Sequence, residues 1–403
     1  MEKPSRRTPP LRIALLLPAG LAMLAGLDSA LLLLGLPAPV STERLPVVHG
    51  PLMVLGFVGT LVALERAVAL APAGAGERAR PWAWAAPGLL GLGALLLVSS
   101  APLAAGQVCQ IVGAGVLVAL YVAAWRRRAD AAIAVQGLGA LAALGAAALW
   151  AAGVPVPALA PWLVAFLVLT IAGERLELMR ITPVPPVAER GLVAASLGLV
   201  GGAAAALLWP APGTALVGAA LVGLVAVLVR FDVARRTVRG RGLPRFMAVA
   251  MLASFAWLAV AGAIWLVGGP ATGGVRYDAV LHAVFLGFVM SMVMAHAPVI
   301  LPAVLRRPLP YRPVMYVPLA LLHATLVLRL LVGDAHDQAW AVRAGGVGNI
   351  VAVLAFVVVA ASSALRGAPA RTPAPARPPA PARPPARART AAVPDVASAQ
   401  VPA

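Results

Sequence analysis

Two histidines, His282 and His296, stand at the two ends of one apolar stretch, HAVFLGFVMSMVMAH. Polar side chains are costly in the hydrocarbon interior of a membrane, so each imidazole is expected to have a partner. At about 100° per residue the two residues share one helix face. At about 1.5 Å of rise per residue they are roughly 21 Å apart along the helix axis. This separation suits two centres at different depths, not one site that uses both residues.

Two further histidines lie at matching depths on other predicted spans. His49 begins the second span on the same side as His282, and His323 lies within about 5–8 Å of the depth of His296. We therefore predict two pairs, His49 with His282 and His296 with His323. A neutral imidazole from each of two helices is a common axial ligation of haem iron, so all four are predicted cofactor and metal ligands. The alternative is an ordinary hydrogen bond between helices for each one.

Three acidic residues are candidates for proton or charge handling. Asp28 lies two-thirds of the way along the first predicted span, where a carboxylate is a functional candidate; the alternative is a buried, protonated hydrogen-bonding group. Glu65 and Glu174 end the second and sixth spans beside Arg66 and Arg175. There they could feed a proton path or hold a haem propionate through arginine. The alternative is a charge cluster that neutralises itself.

The elements that position these residues are membrane-length helices. Of the 403 residues, 61% are hydrophobic and 11% are charged, which excludes a soluble domain. A helix needs about 20 apolar residues to cross the hydrocarbon core. We predict an all-α, polytopic transmembrane helix bundle of about twelve spans. Its predicted spans are 11–36, 47–70, 82–101, 103–125, 131–152, 159–179, 190–209, 213–231, 245–268, 278–304, 313–332 and 340–365.

The predicted organisation has three parts. Residues 1–10 form a cytoplasmic N-terminus, residues 11–365 form the membrane domain, and residues 366–403 form a disordered cytoplasmic tail rich in Pro, Ala and Arg. Asp278 begins the tenth predicted span and is expected to act as its N-cap. The fifth histidine, His336, lies in the loop GDAHDQ and is expected to be exposed.

The basic residues predict the orientation of the chain. With the N-terminus inside, only four of the 32 Lys and Arg residues fall outside. These four are Arg44, Arg276, Arg329 and Arg343. An even number of spans agrees with two cytoplasmic termini. The predicted location is the bacterial cytoplasmic (inner) membrane.

The charge and the single cysteine limit the partners. The net charge of +18 is divided among short clusters between apolar runs, which argues against nucleic acid. The predicted partners are membrane lipids, whose anionic head groups the arginines of the tail could contact, and a redox partner protein. Cys109 is the only cysteine, so the chain can form neither an intramolecular disulfide nor a cysteine-based metal cluster.

Two stretches carry a resemblance to a known family. VVHGPLMVLGFVGTLVALERAVAL at 47–70 and LHAVFLGFVMSMVMAHAPVILPAVL at 281–305 resemble the histidine-bearing helices of the NnrS family. That family comprises twelve-span membrane proteins with haem and copper, distantly similar to the catalytic subunit of haem–copper oxidases and associated with the nitric oxide response. The resemblance implies metal-ligand roles for His49, His282 and His296 and, less directly, for His323. It implies a b-type haem, with copper as a second candidate.

The function expected from these observations is haem binding in the membrane, for electron transfer or the nitric oxide response. Haem-dependent oxidoreductase activity is one form that this function could take, although no catalytic residue is predicted. The chain has no adjacent His-His pair and no His-x-His, which argues against oxidase chemistry. Two alternatives stay open: a secondary transporter in which Asp28 couples protons, and a non-catalytic membrane scaffold with structural histidines.

Overall fold

A computed structural model describes residues 10–70, 80–179 and 185–367. These ranges consist of helices and their connections, without a strand. They contain twelve helices that are long and apolar enough to cross a membrane, so the predicted all-α polytopic bundle is confirmed and the chain is an integral membrane protein. Nearly all of the predicted N-terminal segment 1–10 and of the predicted tail 366–403 lies outside the described residues. The orientation of the chain stays a prediction.

The twelve helices are labelled α1 to α12 in chain order. Their bounds are α1 Leu11–Leu33, α2 Arg44–Ala69, α3 Pro81–Val98, α4 Leu103–Arg127, α5 Ala131–Ala151, α6 Val156–Met179, α7 Pro186–Leu208, α8 Pro210–Phe231, α9 Gly242–Gly268, α10 Gly274–Leu305, α11 Pro313–Asp334 and α12 Ala339–Arg366. The tenth helix begins four residues earlier than predicted. Its N-cap is Gly273, so the prediction that Asp278 caps this helix is wrong.

The helices alternate in direction, and polar residues collect at two opposite ends of the bundle. We call one the arginine-rich end, where Arg66, Arg127 and Arg175 lie close to the last turns of α2, α4 and α6. We call the other the histidine end, where His49 and His282 lie in the first turns of α2 and α10. Each candidate site described below belongs to one of these ends.

The bundle has large apolar side chains on its outside and small residues between its helices. Leu17, Leu208 and Val267 are more than half exposed, as expected for side chains that face lipid. Inside, α5 packs on α6 through glycine and alanine. A Cβ at Gly139 of α5 would lie 2.9 Å from the carbonyl oxygen of Phe166, so only glycine permits this approach. Small residues at helix contacts are typical of membrane bundles.

Gly218 of α8 marks a close approach to α9. A Cβ at this position would lie 2.4 Å from the backbone nitrogen of Leu266 and 2.6 Å from the carbonyl oxygen of Gly262. We predict that Gly218→Ala lowers the free energy of unfolding by about 1–3 kcal/mol, because the two helices must separate. Thermal unfolding in detergent measures this effect. The control is Gly223→Ala on the same helix, where a Cβ meets nothing within 4 Å; equal losses in the two variants would contradict the prediction.

Candidate functional site

A cavity of about 530 Å³ lies at the histidine end, between α1, α2, α6, α10, α11 and α12. This volume falls in the range of small-molecule and cofactor sites. Most of the wall is apolar, with Met53, Phe57 and Phe285 among its residues. The polar residues that line it are His49, Tyr277, Asp278, His282, Arg329 and Asn349. The cavity therefore combines an apolar body with a few polar groups, two of which are imidazoles.

His282 is oriented by a residue one turn earlier on α10. Its Nδ1 lies 2.8 Å from the carbonyl oxygen of Asp278 and 3.1 Å from Oδ1 of the same residue. Since a carbonyl oxygen only accepts, the Nδ1–H of His282 donates this hydrogen bond. The ring then has its lone pair on Nε2, for which the described residues provide no hydrogen bond. A histidine whose Nδ1–H is held by a carboxylate or a carbonyl is the usual arrangement of a metal ligand.

Arg329 holds Asp278 in place from the neighbouring helix α11. Its Nε and Nη2 donate to the two carboxylate oxygens of Asp278, at 2.8 and 2.6 Å. Such a bidentate pair fixes the plane of the carboxylate as well as its position. The arginine side chain is 9% exposed and the aspartate 25%. The two residues thus form a rigid support behind His282.

His49 contributes the second imidazole from α2. Its Nδ1 is buried and has no hydrogen-bond partner among the described residues. The backbone of Gly26 interacts with the same ring, and Nδ1 itself has almost no accessible surface, so it faces the packed interior and not the open cavity. His49 and His282 line the same cavity. The structure thus brings the members of the first predicted pair to one site.

Three of the helices around the cavity contain π-helical turns. Their bounds are Leu52–Gly59 in α2, Ala283–Met290 in α10 and Leu328–Asp334 in α11. The first begins shortly after His49, the second begins directly after His282, and the third contains Arg329. π-helical turns are rare, and they occur frequently at functional sites. Their placement beside the polar residues of one cavity marks this cavity as the principal candidate site.

His296 lies at the arginine-rich end with different partners. Its Nδ1–H donates to the carbonyl oxygen of Met292 at 2.8 Å, and its Nε2 lies 3.4 Å from Nη1 of Arg175. The same arginine forms a bidentate pair with Asp232, with Nε–Oδ2 and Nη2–Oδ1 distances of 2.8 and 2.9 Å. Both nitrogens of the His296 ring therefore have partners within the protein.

His323 contacts two other helices. Trp257 of α9 donates from Nε1 to its Nδ1 at 2.9 Å, and its Nε2 lies 3.3 Å from Oγ of Ser291 on α10. Trp257 reaches this position because it packs on Gly287, where a Cβ would lie 2.4 Å from the indole ring. The ring nitrogens of His296 and His323 thus have other partners among the described residues, and the pairing of these two histidines as ligands stays a prediction.

The three acidic candidates fall in two different environments. Asp28 on α1 is half-buried, and no hydrogen bond or ion pair is described for it; its neighbours Leu27 and Ala30 line the cavity. Glu65 and Glu174 meet at the arginine-rich end, where both carboxylates contact Arg66. The described residues contain no group of three or more His, Cys, Asp or Glu side chains that could hold a metal ion.

Two residues of the candidate site were not predicted from the sequence, Asp278 and Arg329. Asp278 precedes His282 by four residues, and this spacing places side chains together on one helix face. This spacing could have indicated that Asp278 contacts His282. Arg329 gave no comparable signal, because its partner lies on a different helix.

Comparison with known proteins gives one match. No curated protein matches the chain, and no solved structure does. The model of a family described as "Domain of unknown function (DUF8744)" matches residues 12–365, which is most of the chain and nearly all of the membrane domain. The chain therefore belongs to the DUF8744 family.

Proposed function

We propose that this integral membrane protein binds one b-type haem in the cavity at the histidine end, with His49 and His282 as the two axial ligands. The observation that carries the proposal is that two imidazoles from separate helices line one cavity. Nδ1 of His282 is held by Asp278, which leaves Nε2 of His282 as the ligand atom that we propose for this residue. Bis-imidazole coordination is a common ligation of haem iron. The resemblance of these two helices to those of the NnrS family supports the same assignment.

The remaining lining of the cavity fits a haem. Haem iron takes few ligands from a protein, so the two histidines would suffice to hold it and a cluster of three protein ligands is not needed. The apolar wall around Met53, Phe57 and Phe285 suits the faces of a macrocycle. Arg329 uses one N–H each of Nε and Nη2 for Asp278, so Nη1 would be able to donate to a carboxylate of the bound group.

The residues of this chain favour electron transfer. When bound, haem supplies one-electron redox chemistry. His49 and His282 would both hold the iron, an arrangement that favours electron transfer over the binding of a gas or another substrate. Asp278 keeps the Nδ1 proton on His282 and so keeps Nε2 as the ligand atom. We propose a redox partner protein as the source or acceptor of the electron.

Copper does not fit the described residues as well as haem does. A copper site like that of the oxidases needs three histidines, and His296 and His323 already have other partners. Two imidazoles at the histidine end do not complete such a site. Our proposal is therefore limited to haem.

Absorption spectroscopy of the purified protein tests the proposal. The protein is produced in a haem-replete host, extracted in detergent, and measured before and after reduction with dithionite. We expect a Soret band that shifts on reduction and about one extracted haem per chain. The control for haem supply is a known haem protein produced in the same host. If that control is fully loaded while this protein is colourless and yields no extractable haem, the proposal is overturned.

Asp278→Asn is predicted to weaken haem retention about 10- to 100-fold, the usual effect of losing a carboxylate that supports a metal-bound histidine. The substitution keeps the size of the side chain and removes the charge that Arg329 and His282 contact. The rate of haem transfer to an apo-globin acceptor measures the effect. The control is Asp337→Asn in an exposed loop at a positive φ of 53°, a conformation that asparagine tolerates. Equal transfer rates for Asp278→Asn and the unmodified protein would contradict the role of Asp278.

A further inference from the structure

A second polar cluster surrounds Arg66 at the arginine-rich end, and the haem proposal does not use it. Nη2 of Arg66 lies 3.0 Å from Oε1 of Glu65 and 3.5 Å from Oε1 of Glu174. One guanidinium of α2 therefore lies between two carboxyl groups, one from α2 and one from α6. The three side chains are between 16% and 25% exposed. If both carboxyl groups are ionised, the three groups together carry one uncompensated negative charge.

Buried groups without partners adjoin this cluster. Gln136 of α5 is fully buried, and its Oε1 accepts from Nη1 of Arg66 at 3.2 Å while its Nε2 has no partner among the described residues. Tyr121 of α4 is 3% exposed, with its ring centroid 5.9 Å from the guanidinium carbon and its hydroxyl unpaired within the described part of the chain. Buried donors of this kind are usually satisfied by internal water.

The other charges near the two carboxyl groups do not remove the imbalance. Arg175 is adjacent to Glu174, but Asp232 matches its charge in a bidentate ion pair. Glu177, one turn further along α6, is exposed and adds negative charge. Two carboxylates that share one cation in a partly desolvated site repel each other, and a proton on one of them relieves the repulsion.

We propose that Glu65 and Glu174 form a proton-binding site in which the two carboxyl groups hold one proton between them beside Arg66. The proton comes from hydronium in the aqueous phase at the arginine-rich end, which leaves water, and one carboxylate becomes a carboxylic acid. No other bond is made or broken. Water held by Gln136 and Tyr121 connects the carboxyl groups to that aqueous phase. Glu65, Glu174 and Arg66 together then carry no net charge.

Infrared spectroscopy tests this site through the carbonyl stretching band of protonated carboxylic acids, which shifts in D₂O. The comparison uses the full-length protein at neutral pH with Glu65→Gln, Glu174→Gln and the double variant. Each single variant is expected to lose the band of one carboxylic acid, because the remaining carboxylate is matched by Arg66 and ionises. The double variant is expected to lose the same single band and no more. Glu177→Gln is the control, and it should leave the band unchanged.

Two results would overturn the proposal. If Glu65→Gln leaves the band intact while Glu174→Gln removes it, the proton belongs to Glu174 alone and the pair does not share it. If neither variant changes the spectrum, both carboxylates are ionised in the protein. The substitutions are nearly isosteric, and the differences do not depend on haem. The outcome is therefore independent of the result at the histidine end.

Discussion

His282→Ala and His49→Ala are each expected to lower the haem content of the purified protein by about tenfold or more. Each substitution would remove one of the two imidazoles that we propose to hold the iron, and removing only a supporting residue already costs about 10- to 100-fold in metal affinity. The cavity that remains has an apolar wall but only one ligand. The measurement is the ratio of extracted haem to protein, with the unmodified chain prepared in parallel.

Two other histidines provide matched controls for this experiment. His336 is exposed in the loop between α11 and α12, so His336→Ala should leave the haem content unchanged. His323 has partners at both ring nitrogens, Trp257 and Ser291, and its alanine variant should also retain haem. Loss of haem from His323→Ala together with full retention in His282→Ala would contradict the assignment of the ligands.

Asp232→Asn is expected to lower the free energy of unfolding by about 3–5 kcal/mol. Asp232 is fully buried and neutralises Arg175, whose side chain is 2% exposed. Removal of one partner leaves a buried charge without compensation, and this mechanism gives destabilisation of that size. The carboxylate also accepts from the backbone N–H of Ala234, so the substitution also affects the start of the short helix Ala234–Thr237.

The control for this prediction is an ion pair whose basic partner is exposed. Arg128 contacts Asp130 at 2.9 Å with its own side chain 64% exposed, and Asp130, which is 6% exposed, keeps the backbone N–H of Ala132 as a second partner. Surface pairs contribute about 0–1 kcal/mol, so Arg128→Ala should change stability by no more than that. Thermal unfolding of both variants in the same detergent compares them directly. If both variants lose the same free energy of unfolding, the buried pair of Arg175 and Asp232 contributes no more than an exposed pair, and the prediction is contradicted.

The helices could be predicted from the sequence because membrane length and apolar composition determine them almost alone. Depth along the membrane was also accessible, since rise per residue gives height from position. This is why His49 and His282 were expected at one level, and they do line one cavity. Height does not give the direction in which a side chain points around its helix.

The predicted pair of His296 and His323 illustrates this limit. The residue of α10 that faces His323 is Ser291, five positions before His296. At about 100° per residue these two positions point about 140° apart. The two histidines were matched by their depth along the membrane alone. His296 therefore points away from the helix face that contacts His323. The contact of His296 with Arg175 could not be predicted, because it depends on how α6 packs against α10.

The support around His282 was missed for two further reasons. The predicted start of the tenth span fell at Asp278, which made a cap the natural interpretation, while the helix begins at Gly274. The π-helical turns could not be predicted, because no periodic pattern in the sequence indicates them. The tetrapeptide Leu-Gly-Phe-Val occurs at 55–58 and again at 286–289, in both cases within a π-helical turn. That repetition was visible, but its structural meaning was not.

Electron paramagnetic resonance of the oxidised protein tests the central claim most directly, because the signal of ferric haem depends on its axial ligands. If His49 and His282 both bind the iron, the purified protein gives a low-spin ferric signal typical of two imidazoles. His282→Gly should lose this signal and regain it when free imidazole is added. A high-spin signal in the unmodified protein, or a low-spin signal that survives in both His49→Gly and His282→Gly, would contradict the assignment.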